Sequence, residues 1–105
     1  MNCKAHESGQ IAHHLHGGHG GFHERMFEVE KLTENGVVLT YLSPAGEDKY
    51  PSEVKVTVTY TLEKNEEGNV ALGMDYHAAL TEGQTTPTPI NLTNHTYWNL
   101  EGHEK

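Results

Sequence analysis

The side chains best suited to chemistry lie in the run from Asn91 to Asn99. On alternate positions this run carries neutral polar groups, an imidazole and a phenol: Asn91, Thr93, His95, Tyr97 and Asn99. Amides and hydroxyls make directed hydrogen bonds, and aromatic rings provide flat apolar surfaces. A sugar needs both, because its hydroxyls require hydrogen-bonding partners and its C–H faces stack on rings. The alternative interpretation is a solvated outer strand face, which is the commoner arrangement in antiparallel sheets.

His95 is the member of this run that could transfer a proton. Histidine is the side chain whose ordinary pKa lies nearest neutral pH, and it serves enzymes as an acid or a base. The alternation places His95 on the same face as Tyr97. The residues alone leave two interpretations of His95 open, a proton-transferring group that faces a ligand and a structural or solvent-facing histidine.

A second group of imidazoles lies near the N-terminus, where six of the nine histidines fall between His6 and His23. Clustered imidazoles can bind zinc or copper. A structural zinc site, however, normally has four ligands at fixed spacing, whereas these histidines are loosely spaced and Cys3 is the single cysteine. We predict no metal site, and adventitious metal binding by a flexible segment is the alternative.

The composition of the chain indicates which partners are disfavoured and which cellular location to expect. The 105 residues fit one domain with a modest core, and their net charge of −8 argues against nucleic acid and anionic membranes as partners, because both would repel the chain. The acidic pairs Glu47-Asp48 and Glu66-Glu67 lie in turn contexts, where we expect solvated charges. Cys3 alone cannot form an intrachain disulfide, and no signal peptide or transmembrane stretch is evident, so we predict a cytoplasmic location.

Strands and turns must position these groups. Apolar and polar residues alternate most clearly from Val54 to Glu63 and from Val70 to Leu80, which predicts a hairpin with one buried face. An earlier hairpin is predicted from Met26–Leu32 and Val37–Leu42, and a last strand from Ile90 to Leu100. No amphipathic helix is predicted. The pattern favours an all-β, antiparallel sheet of the sandwich type.

Four segments of the chain are similar to one enzyme family in their residues and in their order along the chain. They are Leu15–Gly18 followed by Gly21–Phe22; Ser43–Glu47 followed by Tyr50–Pro51; Val58–Leu62; and Thr88–Leu100, which reads TPINLTNHTYWNL. Together they resemble the aldose 1-epimerase, or galactose mutarotase, family over about residues 15–102. The resemblance implies a partial β-sandwich of the galactose mutarotase type at residues 13–105, preceded by a divergent, flexible segment at residues 1–12.

The resemblance also implies a reaction. The family interconverts the α and β anomers of hexoses by acid–base opening and reclosing of the hemiacetal, without a cofactor. By the resemblance, His95 is the general acid that protonates the ring oxygen, and His16 hydrogen-bonds the substrate. Asn94 and Tyr97 are expected to bind the sugar beside them. The implied partner is a small-molecule hexose, galactose or glucose.

The chain departs from the family in two respects. No residue matches the family's carboxylate base, so we expect little or no catalysis from these 105 residues. A non-catalytic carbohydrate-binding fragment and an inactive truncated product are therefore the alternatives, and exposed strand edges would favour self-association. Lys49 and Ser52 replace glycines in the predicted loop at residues 43–52, where a positive φ would be unfavourable for both.

Overall fold

The computed structural model describes residues 4–5, 12–13 and 16–104, with side chains described from residue 16 onward. It contains six strands, two 3₁₀ turns and, in this part of the chain, no α-helix. The strands are β1 (Lys4–Ala5), β2 (Ala12–His13), β3 (Glu28–Leu32), β4 (Gly36–Ser43), β5 (Val54–Lys64) and β6 (Val70–Leu80). The 3₁₀ turns are Phe22–Glu24 and Glu47–Lys49. The flexible segment predicted at residues 1–12 lies largely outside the described residues.

The main sheet is antiparallel, with strand order β3-β4-β5-β6. Strands β1 and β2 form a separate short antiparallel pair. Both predicted hairpins are confirmed. The turn between β3 and β4 closes through a hydrogen bond from the Thr33 backbone N–H to the Gly36 carbonyl, at 2.9 Å. The turn between β5 and β6 closes through the Asn65 N–H and the Asn69 carbonyl, also at 2.9 Å.

The core lies on one face of this sheet. Val54, Val56 and Val58 are buried, and they share a face because alternate residues of a strand point the same way. The partly buried side chains that pack against them are Phe22, Phe27, Tyr60, Tyr76, Ala78 and Leu92. The opposite face is polar, with Lys55 paired to Glu30 at 3.2 Å. The all-β, one-sided sheet expected from alternation is confirmed, and it is consistent with part of a sandwich.

The predicted last strand at Ile90–Leu100 is wrong. Residues 87–99 adopt no regular secondary structure, and within the described part of the chain no backbone-to-backbone hydrogen bond joins them to a strand. Pro87 and Pro89 each remove a backbone donor at the start of the segment, which disfavours sheet pairing. Alternation of burial fails as well, because Leu92 is half-buried whereas Trp98 is exposed.

Contacts on both sides of Pro87 anchor this segment, and one of them places Leu92 on the apolar face of the sheet. The buried Ser52 hydroxyl donates to the Thr86 carbonyl at 2.5 Å, and the Glu53 backbone N–H donates to the Gln84 side chain at 3.1 Å. Further along, Leu92 packs against the valine core. These contacts place the residues after Leu92 next to the end of the sheet at which the loop at residues 16–21 also lies.

The loop between β4 and β5 shows the backbone strain expected at one of its two replaced glycines. Lys49 has φ 68, in the left-handed region that glycine adopts freely. Ser52, in contrast, is absent from the described non-glycine residues with positive φ. No helix formed by the described residues has the length and apolarity to cross a membrane.

Candidate functional site

Three imidazoles and one phenol converge at one end of the sheet. The rings of His16 and His95 have centroids 6.0 Å apart, and the rings of His16 and His23 have centroids 5.9 Å apart. Tyr97 follows, with its ring centroid 5.1 Å from that of His95. All four side chains are exposed. The structure therefore brings together His16, His95 and Tyr97, three of the four residues predicted for the site, although His16 and His95 are 79 positions apart in the chain.

Asn94, the fourth predicted residue, has contacts of a different kind. Its amide nitrogen donates to the Tyr60 hydroxyl at 3.4 Å, and its amide oxygen accepts from the backbone N–H of Thr96 at 2.9 Å and from the Thr96 hydroxyl. These bonds form an Asx turn that fixes the backbone on either side of His95. The observed role of Asn94 is thus to shape the segment that carries His95, and sugar binding by Asn94 stays a prediction.

His16 is presented by a loop of unusual backbone conformation, residues 16–21, which we call the glycine loop. His16 itself has φ 52, and Gly17, Gly18 and Gly21 also have positive φ. A Cβ at Gly21 would collide with the His16 carbonyl oxygen and would meet the His23 ring at 2.6 Å. Glycine is therefore required at position 21 for the close approach that sets the rings of His16 and His23 beside each other.

The glycine loop is anchored by a carboxylate from the turn between β4 and β5. The Asp48 carboxylate accepts from the Gly20 N–H at 2.9 Å and from the Gly21 N–H at 3.1 Å, and it pairs with the Arg25 guanidinium at 3.4 Å. Its side chain is only 12% exposed. The backbone N–H of Gly20, with smaller contributions from Gly21 and Arg25, holds the pKa of Asp48 below its ordinary value, because these bonds favour the charged form.

The neighbouring carboxylate, Glu47, bonds in another direction. It accepts from the Tyr41 hydroxyl at 2.5 Å and from the Ser43 hydroxyl at 3.2 Å, and it forms an ion pair with Arg25 at 3.4 Å. Burial raises the pKa of Tyr41 to about 12, and the hydrogen bond to Glu47 adds to this effect. Attraction by Glu47 is also the main cause that raises the pKa of Arg25.

Comparison with known proteins identifies the family. A family model described as aldose 1-epimerase matches residues 5–105. The chain belongs to the aldose 1-epimerase family. It is 46% identical to the galactose mutarotase of Mus musculus and 43% identical to that of Homo sapiens, in each case over 88 residues that make up 84% of this chain and 23% of the relative. It is 39% identical to the aldose 1-epimerase of Haemophilus influenzae over 98 residues, 93% of this chain and 26% of the relative.

This member of the aldose 1-epimerase family therefore spans about a quarter of the length of the curated relatives it matches. No solved structure matches it significantly. The match to the family model, at residues 5–105, includes the glycine loop and the segment that carries His95. The family resemblance inferred from the sequence is thus confirmed.

The anchoring role of Glu47 and Asp48 in this member of the aldose 1-epimerase family was not predicted from the sequence. Glu47 and Asp48 were expected to be solvated turn charges, and this is wrong, since both side chains are only 12% exposed and hydrogen-bonded. Glu66 and Glu67 are exposed, as expected. The only hint in the sequence was the position of Asp48 inside a family-like loop, since its partner amide at Gly20 lies 28 residues away.

The ring cluster does not form a metal centre in the part of the chain with described side chains. No three histidine, cysteine, aspartate or glutamate residues there converge closely enough to hold a metal ion. Cys3, His6 and His14 fall outside the described residues, as does the side chain of His13. The site is accordingly a group of exposed imidazoles with a phenol, suited to hydrogen bonding, stacking and proton transfer.

Proposed function

We propose that this chain contributes the acid half of a hexose mutarotase site, as an aldose 1-epimerase (isomerase) of galactose and other hexose metabolism. The observation that supports this most directly is the juxtaposition of His16 and His95, with ring centroids 6.0 Å apart, in a member of the aldose 1-epimerase family. The segments carrying these two rings are brought together only by the fold. A hydroxylated ring could hydrogen-bond to both imidazoles at once.

The proposed reaction moves two protons. A carboxylate base takes the proton from the C1 hydroxyl of the sugar, and the protonated His95 imidazole donates a proton to the ring oxygen. The C1–O bond of the ring then breaks and C1 becomes an aldehyde carbon. Rotation about the C1–C2 bond presents the other face of the aldehyde, and reversal of the proton transfers closes the ring as the other anomer. His95 is regenerated in its protonated form, so no cofactor is consumed.

The sugar-binding roles follow from exposure and from chemistry. We propose that His16 hydrogen-bonds a sugar hydroxyl, that Tyr97 and Trp98 offer ring surfaces to the C–H face, and that Asn94 holds their segment in place and takes a further hydroxyl. Tyr97 and Trp98 are 86% and 64% exposed, which leaves their rings accessible. Galactose or glucose is the proposed substrate. The proposed location is the cytoplasm, which rests on the presence of a single cysteine.

Polarimetry tests the proposal that this chain supplies the general acid of the reaction but not the carboxylate base. The family's carboxylate base has no counterpart among these residues, so the chain should accelerate the mutarotation of freshly dissolved α-galactose little beyond buffer. One positioned proton carrier is typically responsible for about 10²–10⁴ in rate. A rate well above buffer that His95→Ala abolishes would contradict this expectation, because it would show that these residues supply a base as well.

A non-catalytic sugar-binding role is the second candidate, and the exposed rings of Tyr97 and Trp98 favour it. Titration with galactose, followed by backbone and imidazole NMR signals, should shift the resonances of His16 and His95. His77→Ala is a matched control, because His77 pairs with Thr57 on the opposite face of the sheet. Unchanged spectra at high millimolar galactose would count against sugar binding, and loss of binding in His77→Ala would count against this site.

We also propose self-association through exposed strand edges. Strands β3 and β6 lie at the two ends of the sheet order, and among the described residues neither pairs with a further strand on its outer side. Unpaired backbone groups at an edge readily bind another strand. Leu62 and Leu72 directly oppose each other on β5 and β6 and are both exposed, so a second copy could cover apolar surface as well.

A further inference from the structure

We infer that Asp48 is a positioning residue for His16, and this inference rests on the proposed sugar site. Asp48 lies on the turn between β4 and β5, and His16 lies on the glycine loop. The two carboxylate oxygens of Asp48 accept separate hydrogen bonds from consecutive backbone amides, Gly20 at 2.9 Å and Gly21 at 3.1 Å. A single side chain thus satisfies two donors of the loop and fixes the direction of its backbone.

The position of these two amides is transmitted to His16 by close contact. The Gly21 backbone packs against the His16 carbonyl oxygen so tightly that no Cβ could be accommodated at position 21. A Cβ at Gly17 would lie 3.6 Å from the Gly21 Cα, so this part of the loop folds back on itself. Displacement of Gly21 would therefore displace His16 and change the 6.0 Å separation of the His16 and His95 rings.

The glycine loop has little internal support of its own. Four of its six residues have positive φ: His16, Gly17, Gly18 and Gly21. The one backbone-to-backbone hydrogen bond that involves the loop, within the described residues, runs outward from the Glu24 N–H to the Gly21 carbonyl at 3.3 Å. Such a conformation persists only when surrounding groups determine it, and Asp48 is the group that meets the loop's amides.

The approach of the two segments also accounts for Gly18. A Cβ at this position would lie 3.2 Å from the Asp48 Cβ and 3.4 Å from its Cγ, and the φ of 114 is one that other residues rarely adopt. Asp48 itself has φ 47, which aspartate and asparagine tolerate better than most residues. Both sides of the contact are therefore shaped for a short carboxylate that reaches into the loop.

The variant Asp48→Asn tests the inference in the full 105-residue chain. Asparagine keeps the size of the side chain and tolerates the left-handed backbone, but it removes the charge and one of the two acceptor oxygens. We expect the Gly20 and Gly21 amides to exchange about tenfold faster with solvent. We also expect the imidazole signals of His16 to shift before any sugar is added, while the amide signals of Val54, Val56 and Val58 stay unchanged.

Glu47→Gln is the matched control. This neighbouring carboxylate contacts Tyr41, Ser43 and Arg25 instead of the loop amides. The control should leave the exchange of Gly20 and Gly21 and the signals of His16 as they are in the wild type. Equal effects of Asp48→Asn and Glu47→Gln, or no effect of Asp48→Asn on the loop, would overturn the inference.

Gly18→Ala provides a second test if Asp48→Asn fails to fold. The added methyl group pushes the loop away from an intact Asp48 carboxylate, so faster exchange at Gly20 and shifted His16 signals are again expected. If the Gly20 amide exchanges faster in Gly18→Ala than in the wild type but the imidazole signals of His16 do not change, the inference is overturned.

Galactose titration then separates the two proposals. In Asp48→Asn the affinity reported by His16 should fall about fivefold to tenfold while the sheet stays folded. If galactose leaves the wild-type His16 and His95 signals unchanged, the sugar-site proposal fails, and the sugar-free exchange and imidazole signals still decide whether Asp48 positions His16.

Discussion

At the scale of single residues, two adjacent carboxylates next to the candidate site bind different parts of the structure. Asp48 binds the amides of the glycine loop, and Glu47 binds hydroxyls of β4. Arg25 contacts both carboxylates, at 3.4 Å each, and so joins the two sets of bonds. Of these three side chains, Asp48 is the one that hydrogen-bonds the glycine loop, and it is not among the residues proposed to contact the sugar.

The lowered pKa of Asp48 predicts a loss of stability in acid. Because the folded pKa lies below the ordinary value of 3.8, the charged carboxylate stabilises the fold above pH 3.8, and this contribution is lost as the pH falls through the lower folded pKa. Arg25 and Glu47 are the charged groups that face Asp48. Urea unfolding of the wild type and of Asp48→Asn at decreasing pH measures the effect. The difference in stability between them should shrink in acid, and a constant difference would contradict the prediction.

The raised pKa of Tyr41 predicts a loss of stability in alkali. The unfolded chain releases this phenolic proton near pH 10.0, whereas the folded chain retains it until about pH 12. The contribution is therefore fully present below pH 10.0 and declines as the pH rises towards 12. In Tyr41→Phe the alkaline decline in the free energy of unfolding should be smaller, and the last tyrosinate absorbance step should disappear. Identical alkaline curves for the two proteins would refute the assignment.

At the scale of elements, the alternation of apolar and polar residues correctly predicted the strands of the sheet. It wrongly predicted a strand at residues 90–100, the segment that carries His95. Strands β5 and β6 could be read from the sequence because one face of each is apolar and sheet pairing satisfies the backbone of both. Residues 90–100 show the same alternation, but prolines precede them and no strand pairs with them in the described part of the chain. Alternation therefore reports which residues could share a face, and it does not report whether a pairing partner exists.

The residues of the candidate site also differ in whether the sequence alone could identify them. His95 and Tyr97 could be found from their types and spacing, and His16 from the family resemblance. Asp48 could not, because its contribution depends on amides that lie 27 and 28 residues away, across two loops. Such contacts are set by the relative placement of loops, which follows from the register of β4 and β5 and from backbone conformations that no local pattern encodes.

The turn between β4 and β5 should become more stable when Lys49 is replaced by glycine. The left-handed backbone at Lys49, φ 68, costs a non-glycine residue about 1–2 kcal/mol. Glycine adds an entropy cost of about 0.5–1 kcal/mol, so Lys49→Gly should raise the free energy of unfolding by up to about 1.5 kcal/mol. Denaturant titration measures this change.

Ala45→Gly is the control for Lys49→Gly. Ala45 lies in the same turn, is exposed and is absent from the described positive-φ residues. Its replacement should lower the free energy of unfolding by about 0.4–1 kcal/mol. If both variants shift stability in the same direction, the left-handed backbone of Lys49 is not the cause.

At the scale of the whole molecule, the chain is a broad, thin body of 49 × 40 × 21 Å. The valine core is covered near the candidate site, but the same sheet face is open at its other end, where Leu32, Leu62 and Leu72 are exposed. The matched curated relatives are about three and a half times as long as this chain. A sheet with one partly uncovered apolar face is what part of a two-layer domain would contain.

This open apolar surface predicts that the isolated chain associates with itself. Replacing Leu62 and Leu72 together by serine should reduce association in sedimentation experiments, because the two side chains face each other across β5 and β6 on the open surface. Leu100→Ser is the control, since Leu100 is 90% exposed and lies outside the sheet. A wild-type chain that stays monomeric at high concentration would contradict the prediction, and so would an equal effect of Leu100→Ser.

The attachment of the segment at residues 87–99 has a thermodynamic consequence. Side-chain contacts hold it in place of a ladder of backbone bonds, so it should open at a lower free energy than the sheet beneath it. A sugar that bridges His16 and His95 would join this segment to the glycine loop and order both. Part of its intrinsic binding free energy would then go into that ordering, and the measured affinity would understate the strength of the contacts themselves.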